Sequence, residues 1–210
     1  MSASGVLAGR RAFVSEASGT VECAIVEALL ADGAHVRAHA PAGVAGPDGV
    51  ELLAGDLGDR EQSLALAERL GALDVLVCGR GTPSQADAAS LSADDWALAL
   101  EGSLTAPFVF ARAAGARMRE AGRGVIVNLL PALETAGVAA AATATALLGL
   151  TRILAVEWAS DGVRVVAITV EDEAEPRDVA EIVRYVASPA AAFVTGAHLR
   201  AGDLAAASPG

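Results

Sequence analysis

The feature that most limits how this chain can fold is a regular alternation between short apolar runs and segments of helical spacing. Leu73–Cys78, Gly124–Leu130 and Val163–Val170 are almost continuously apolar. A strand with one wet face alternates apolar and polar residues, whereas a run without alternation is covered on both faces. Further strands are expected at Arg11–Ser15, Ala34–His39 and Val50–Leu53, with a last short one entered through Phe193–Leu199. Helical spacing occupies Val21–Ala31, Arg60–Leu70, Ser92–Ala121 (with a break near Ser103), Val138–Ser160 and Val179–Ala187. Strand and helix in strict turn predict an α/β fold: a doubly wound parallel sheet of about seven strands with helices on both faces. The 210 residues suit one domain, 1–210, with no linker or internal repeat.

Charge narrows the partners. The chain carries a formal net charge of −11, and its fifteen cations are all arginine. Nucleic acid and anionic membrane surfaces both call for a basic face, so neither is an expected partner. The Ala-rich stretch Ala136–Leu150 is interrupted by Thr143, Thr145 and Gly149 and reads as a buried helix, not a membrane span. Cys23 and Cys78 lie in apolar contexts far apart, as reduced thiols would. Met1–Gly9 lacks the charged start and apolar core of a signal peptide. These readings predict a cytoplasmic protein. His35, His39 and His198 have no metal-ligand spacing and are expected at strand edges or the surface, so no metal site is expected.

Several blocks, taken in order, resemble the short-chain dehydrogenase/reductase family, and within it the 3-oxoacyl-carrier-protein reductases. They are Gly9–Ser15 before a helix, Asp56-Leu57, Leu73–Gly81, Asp95-Trp96, Ser103–Phe108, Gly124–Asn128, Gly149–Glu157, Gly162–Val165 and Val194–Gly196. The resemblance spans nearly the whole chain and implies a Rossmann-like domain. Asp56 and Gly81 match residues the family uses around its dinucleotide.

Elsewhere the chain departs from the family pattern. The family's first turn reads Thr-Gly-x-x-x-Gly-x-Gly, whose glycines let backbone approach a pyrophosphate at a helix N-terminus. Here those positions are Ser15, Glu16, Thr20 and Glu22. Two like charges about 4 Å apart repel by roughly 1 kcal/mol in water and about 4 kcal/mol at intermediate dielectric. Glu22 in a first helical turn, with Ser18 or Thr20 as cap, reads as an internal anion that takes the phosphate's place. The strand end His39-Ala40-Pro41 offers neither an acid for a ribose hydroxyl nor arginines for a 2′-phosphate. The Asn, Ser, Tyr and Lys of the family's catalytic tetrad fall at Ser103, Leu130 or Pro131, Ala140 and Ala144. The chain has no lysine, and its one tyrosine is Tyr185. After the sixth strand, Val170-Glu171 replaces Pro-Gly, and only Asp172–Pro176 remains where the family has a substrate lid.

On these departures the sequence predicts a non-catalytic subunit without a cofactor. It would assemble with itself or a catalytic relative through the two long helices, as the family does. One alternative is changed chemistry in the old pocket, with Cys78, Glu134, Glu171 or Asp172 as the new group. Another is an atypical NAD(P)-dependent oxidoreductase.

Overall fold

The computed structural model describes residues 5–80 and 86–202. Gly81, matched above to the family, lies outside the described residues. Seven strands form one parallel sheet: β1 Arg11–Val14, β2 His35–Ala40, β3 Glu51–Ala54, β4 Val75–Cys78, β5 Gly124–Pro131, β6 Val163–Val170 and β7 His198–Ala201. Their order is β3-β2-β1-β4-β5-β6-β7. The chain runs outward from β1 in one direction, then returns to β4 and runs out the other way. That reversal opens a crevice beyond the C-terminal ends of β1 and β4, where doubly wound sheets hold ligands.

The helices are α1 Thr20–Ala31, α2 Arg60–Arg69, α3 Ala93–Leu100, α4 Ala106–Glu120, α5 Val138–Trp158 and α6 Pro176–Ala187. One face of the sheet is covered by α1 and α6 through Ile25, Val26, Leu29, Val179 and Val183. The other takes α2, α4 and α5, with Phe110 edge-on to Phe13 at 5.9 Å between ring centres. Each such side chain contributes roughly 1.5–3 kcal/mol of burial. A Cβ on Gly115 of α4 would lie 2.6 Å from the Trp158 ring of α5, so this glycine sets how closely the two helices approach.

The expected strands are present, with ends shifted by at most two residues, and the turn through Phe193–Leu199 leads into β7, which extends to Ala201. α6 starts three residues before Val179, because Pro176 at its first turn needs no N–H partner. The break expected near Ser103 is a π-helical turn, Glu101–Thr105, between α3 and α4. α5 is long and apolar enough to cross a membrane by length and composition. Here it lies on β5 and β6 and buries Leu147, Leu154 and Trp158.

Candidate functional site: the crevice at the C-terminal edge of the sheet

Beyond the strand ends lies a cleft of about 400 Å³ whose polar lining includes Glu16, Asp56, Arg80, Asp95 and Ser103, with Leu57 and Leu98 as apolar wall. Glu16 follows β1 directly and has φ +58°, a left-handed conformation that a side chain resists. Its N–H donates to His39 Nδ1 at 3.2 Å, while His39 Nε2 lies 3.1 Å from the Gly55 carbonyl. Nε2 therefore carries the proton and the ring is neutral; burial also lowers the His39 pKa. His39 is fully buried, contrary to its expected edge or surface position. It ties β1, β2 and β3 together beneath the cleft.

Left-handed backbone costs a non-glycine residue roughly 1–2 kcal/mol, partly offset by the greater unfolded freedom of glycine. Glu16→Gly is thus expected to raise unfolding free energy by about 0.5–1 kcal/mol in urea titration. Unchanged or lower stability would mean that the Glu16 side chain itself holds the turn.

The helix start differs from expectation. The N-cap of α1 is Gly19, with no side-chain cap, so neither Ser18 nor Thr20 serves as one. Glu22 turns inward and is 3 % exposed. Its Oε1 accepts the Arg80 N–H at 3.2 Å and lies 3.6 Å from Arg80 Nε. A Cβ on Gly79 would meet the Ser15 carbonyl at 2.3 Å, so β4 can exit this close to β1 only through glycine. Ser15 Oγ accepts the Gly79 N–H at 3.0 Å. Burial, and then the charges of Glu22 and Asp56, raise the Glu16 pKa, so this carboxyl holds its proton more tightly than an ordinary one. Asp56 is exposed and accepts the Gly58 N–H at 2.8 Å. Arg80, with a side chain 21 % exposed, pairs with Glu22 and is the cation among the residues that line the cleft. Sequence reading missed it. Its signal was an arginine right behind the glycine that ends the most apolar strand.

The four tetrad positions do converge. Ser103, Pro131, Ala140 and Ala144 line a small cavity, of about 20 Å³, that also touches Gly79 and Arg80. Ser103, carried by the π-turn, borders both this cavity and the cleft. Nearby Thr143 donates to the carbonyls of Ala139 and Ala140.

The residues considered for changed chemistry behave differently. Cys78 is fully buried, and burial pushes its thiol up to about 12. Native protein at pH 8 is expected to resist iodoacetamide at Cys78, with alkylation by mass spectrometry only after unfolding; modification of the folded chain would overturn this. Glu134 and Glu171 are brought together by Arg200, at 3.2 Å and 2.7 Å. Hydrogen bonds from its own N–H and from Arg200 hold the Glu134 carboxyl below the usual range, which suits an anchor better than an acid. Asp172 is exposed. Neither Glu134 nor Glu171 is among the residues that line the cleft.

Comparison with known proteins places this geometry in a family. The family described as enoyl-(acyl carrier protein) reductase matches residues 23–171. The D-threitol dehydrogenase of Mycolicibacterium smegmatis is 32% identical over 185 residues, covering 78% of this chain and 70% of that one. The 3-oxoacyl-[acyl-carrier-protein] reductase of Vibrio cholerae is 27% identical over 92% of this chain and 96% of its own. A crystal structure from Beutenbergia cavernae, described as an NAD(P)-dependent gluconate 5-dehydrogenase with NADP at low occupancy, has a TM-score of 0.83. It is 29% identical over 93% of this chain and 96% of that one. The chain belongs to the short-chain dehydrogenase/reductase family.

This kinship overturns the expectation of a non-catalytic, cofactor-free subunit. The relatives are named as working dehydrogenases and reductases, and the neighbouring structure holds NADP. The expectation failed because it inferred loss of activity from departures at the family's usual positions, in the phosphate turn, the tetrad and the lid. A changed side chain says what a group cannot do; it does not exclude catalysis by other groups in the same crevice.

The fit to NAD(P) is uneven. The cleft beside Asp56 and Gly58 has room and an apolar wall at Leu57 and Leu98. The turn before α1 does not fit a pyrophosphate as it stands, because a buried carboxylate, Glu22, already sits beneath it.

Proposed function

We propose that this chain is an atypical NAD(P)-dependent oxidoreductase that interconverts a secondary alcohol and a carbonyl. The carrying observation is the roughly 400 Å³ crevice at the strand-order reversal, with Arg80 and Ser103 beside an apolar wall. The names of its relatives, a polyol dehydrogenase and a 3-oxoacyl reductase, support this class. The Arg80 guanidinium and Ser103 hydroxyl are the donors available to a substrate oxygen. Glu16, whose carboxyl keeps its proton more readily than usual, is the group on the cleft wall suited to proton exchange. The tetrad positions Pro131, Ala140 and Ala144 shape the pocket without titrating.

Assembly through α4 and α5 belongs to this reading, since Phe108, Ile153 and Val156 of those helices are 41 %, 59 % and 79 % exposed. Free thiols at Cys23 and Cys78 support a reducing, cytoplasmic setting.

The test is direct. NADH and NADPH are titrated by fluorescence, then turnover is measured with polyols and with 3-oxoacyl thioesters. Binding with a Kd between about 100 μM and 1 mM, some 4–5.5 kcal/mol, is expected from the acidic turn. Turnover should fall at least tenfold in Ser103→Ala and Arg80→Gln. No binding at millimolar nucleotide and no turnover with either class would overturn the proposal.

A further inference from the structure

At the opposite edge of the sheet, where the strands begin, a second cavity of about 150 Å³ opens against the end of α6. Its charged lining is Arg10, Arg123, Arg164 and a single acid, Asp74. Neighbouring strands set these in one row. Asp74 N–H donates to the Arg11 carbonyl, Val125 N–H to the Asp74 carbonyl, and Val125 is in register with Arg164.

Asp74 is already engaged. Its Oδ1 accepts from Arg10 at 3.3 Å and Arg123 at 3.1 Å, and its Oδ2 accepts the Arg11 N–H at 3.0 Å with Arg11 Nε at 3.5 Å. One carboxylate is thus shared by three guanidiniums. Among the described residues Arg164 forms no ion pair; its hydrogen bond is to the Val194 carbonyl at 3.4 Å. Burial pulls the Arg164 pKa below its ordinary value, with the nearby Tyr185 acting the other way. A half-buried cation without a counter-anion is costly. Three guanidiniums lining a cavity with one carboxylate, itself shared with Arg11 outside the cavity, are also out of keeping with a chain of net charge −11.

We infer that this cavity binds a small oxyanion, a phosphate group either free or at the end of a compact ester. Arginine offers a planar fork of donors that matches phosphate oxygens, and Arg164 keeps most of its fork uncommitted. The volume lies below the roughly 300–1,000 Å³ typical of drug-sized ligands, so a phosphate group fits and a whole nucleotide does not. The site lies at the other end of the strands from the oxidoreductase cleft and does not depend on that reading.

The test titrates the whole chain, at low salt, with inorganic phosphate and with glycerol 3-phosphate by calorimetry. Inorganic phosphate is expected to bind with a Kd of about 1 mM or tighter. Arg164→Gln and Arg123→Gln should each weaken it at least tenfold, while Arg112→Gln, which removes an exposed charge elsewhere, should not. Binding of both ligands assigns the site to a phosphate ester, and binding of inorganic phosphate alone to the free anion. Absence of binding of both ligands at about 10 mM, or affinity unchanged in Arg164→Gln, overturns the inference. NADPH titration of the same variants reads the cleft separately, so the two conclusions can fail independently.

Discussion

Glu22→Ala is expected to move two measurements in opposite directions. Stability should fall by about 2–3 kcal/mol in urea. The carboxylate is buried, and its removal strands the Arg80 N–H and leaves the guanidinium at 3.6 Å unpaired. Breaking a buried pair costs roughly 3–5 kcal/mol, reduced here because Arg80 keeps some contact with water. NADPH affinity should rise about tenfold, because a negative charge leaves the start of α1, where the helix dipole favours anions. Glu22→Gln should keep more of the stability while giving the same direction in affinity. A loss of stability with no gain in affinity would mean that the nucleotide phosphates never approach this turn.

Asp74→Ala is the second large effect, expected at about 3 kcal/mol. Asp74 is 7 % exposed and receives the Arg11 N–H, a charge-assisted bond of roughly 1.5–3 kcal/mol. Its ion pairs with Arg10, Arg11 and Arg123 add less than roughly 1 kcal/mol each, because those arginines are 36 %, 51 % and 61 % exposed. Burial alone would raise the Asp74 pKa. The Arg11 N–H, the Arg10 hydrogen bond and the charges of Arg123 and Arg11 outweigh it and leave the carboxyl below its ordinary value. A depressed carboxyl pKa stabilises the fold above the unfolded value, about 3.9, and loses that contribution as pH falls through the folded one. The gap between the parent and Asp74→Ala should therefore be constant from about pH 6 to 8 and close below about pH 4. A gap that persists in acid would assign the loss to packing.

The sheet was readable from sequence because burial on both faces writes itself into a strand directly, as Val163–Val170 does at both its boundaries. The helix break near Ser103 was legible for a local reason too, since small and polar residues interrupt an otherwise apolar helix. The site was less legible. Glu22 and Arg80 are far apart in sequence, and only the return from β3 through α2 to β4, laid beside β1, brings them together. His39 looked like an edge residue because periodicity does not reveal that its two ring nitrogens have backbone partners just after β3 and in the turn after β1. Arg200 joining Glu134 to Glu171 spans three strand ends and leaves no trace in any single segment.

The π-turn at Glu101–Thr105 amounts to one residue more than an α-helix needs over that stretch. Each residue of a helix turns the chain by about 100°. Deleting one residue there would let α3 and α4 run on as a single regular helix, but would swing everything before the deletion by that angle. Asp95 and Leu98 would leave the wall of the cleft. In the evolution of this chain, then, the length of the helix pair is not free to drift by single residues: the extra one acts as a phase setting for the wall of the pocket, and changes of length are tolerable only outside it.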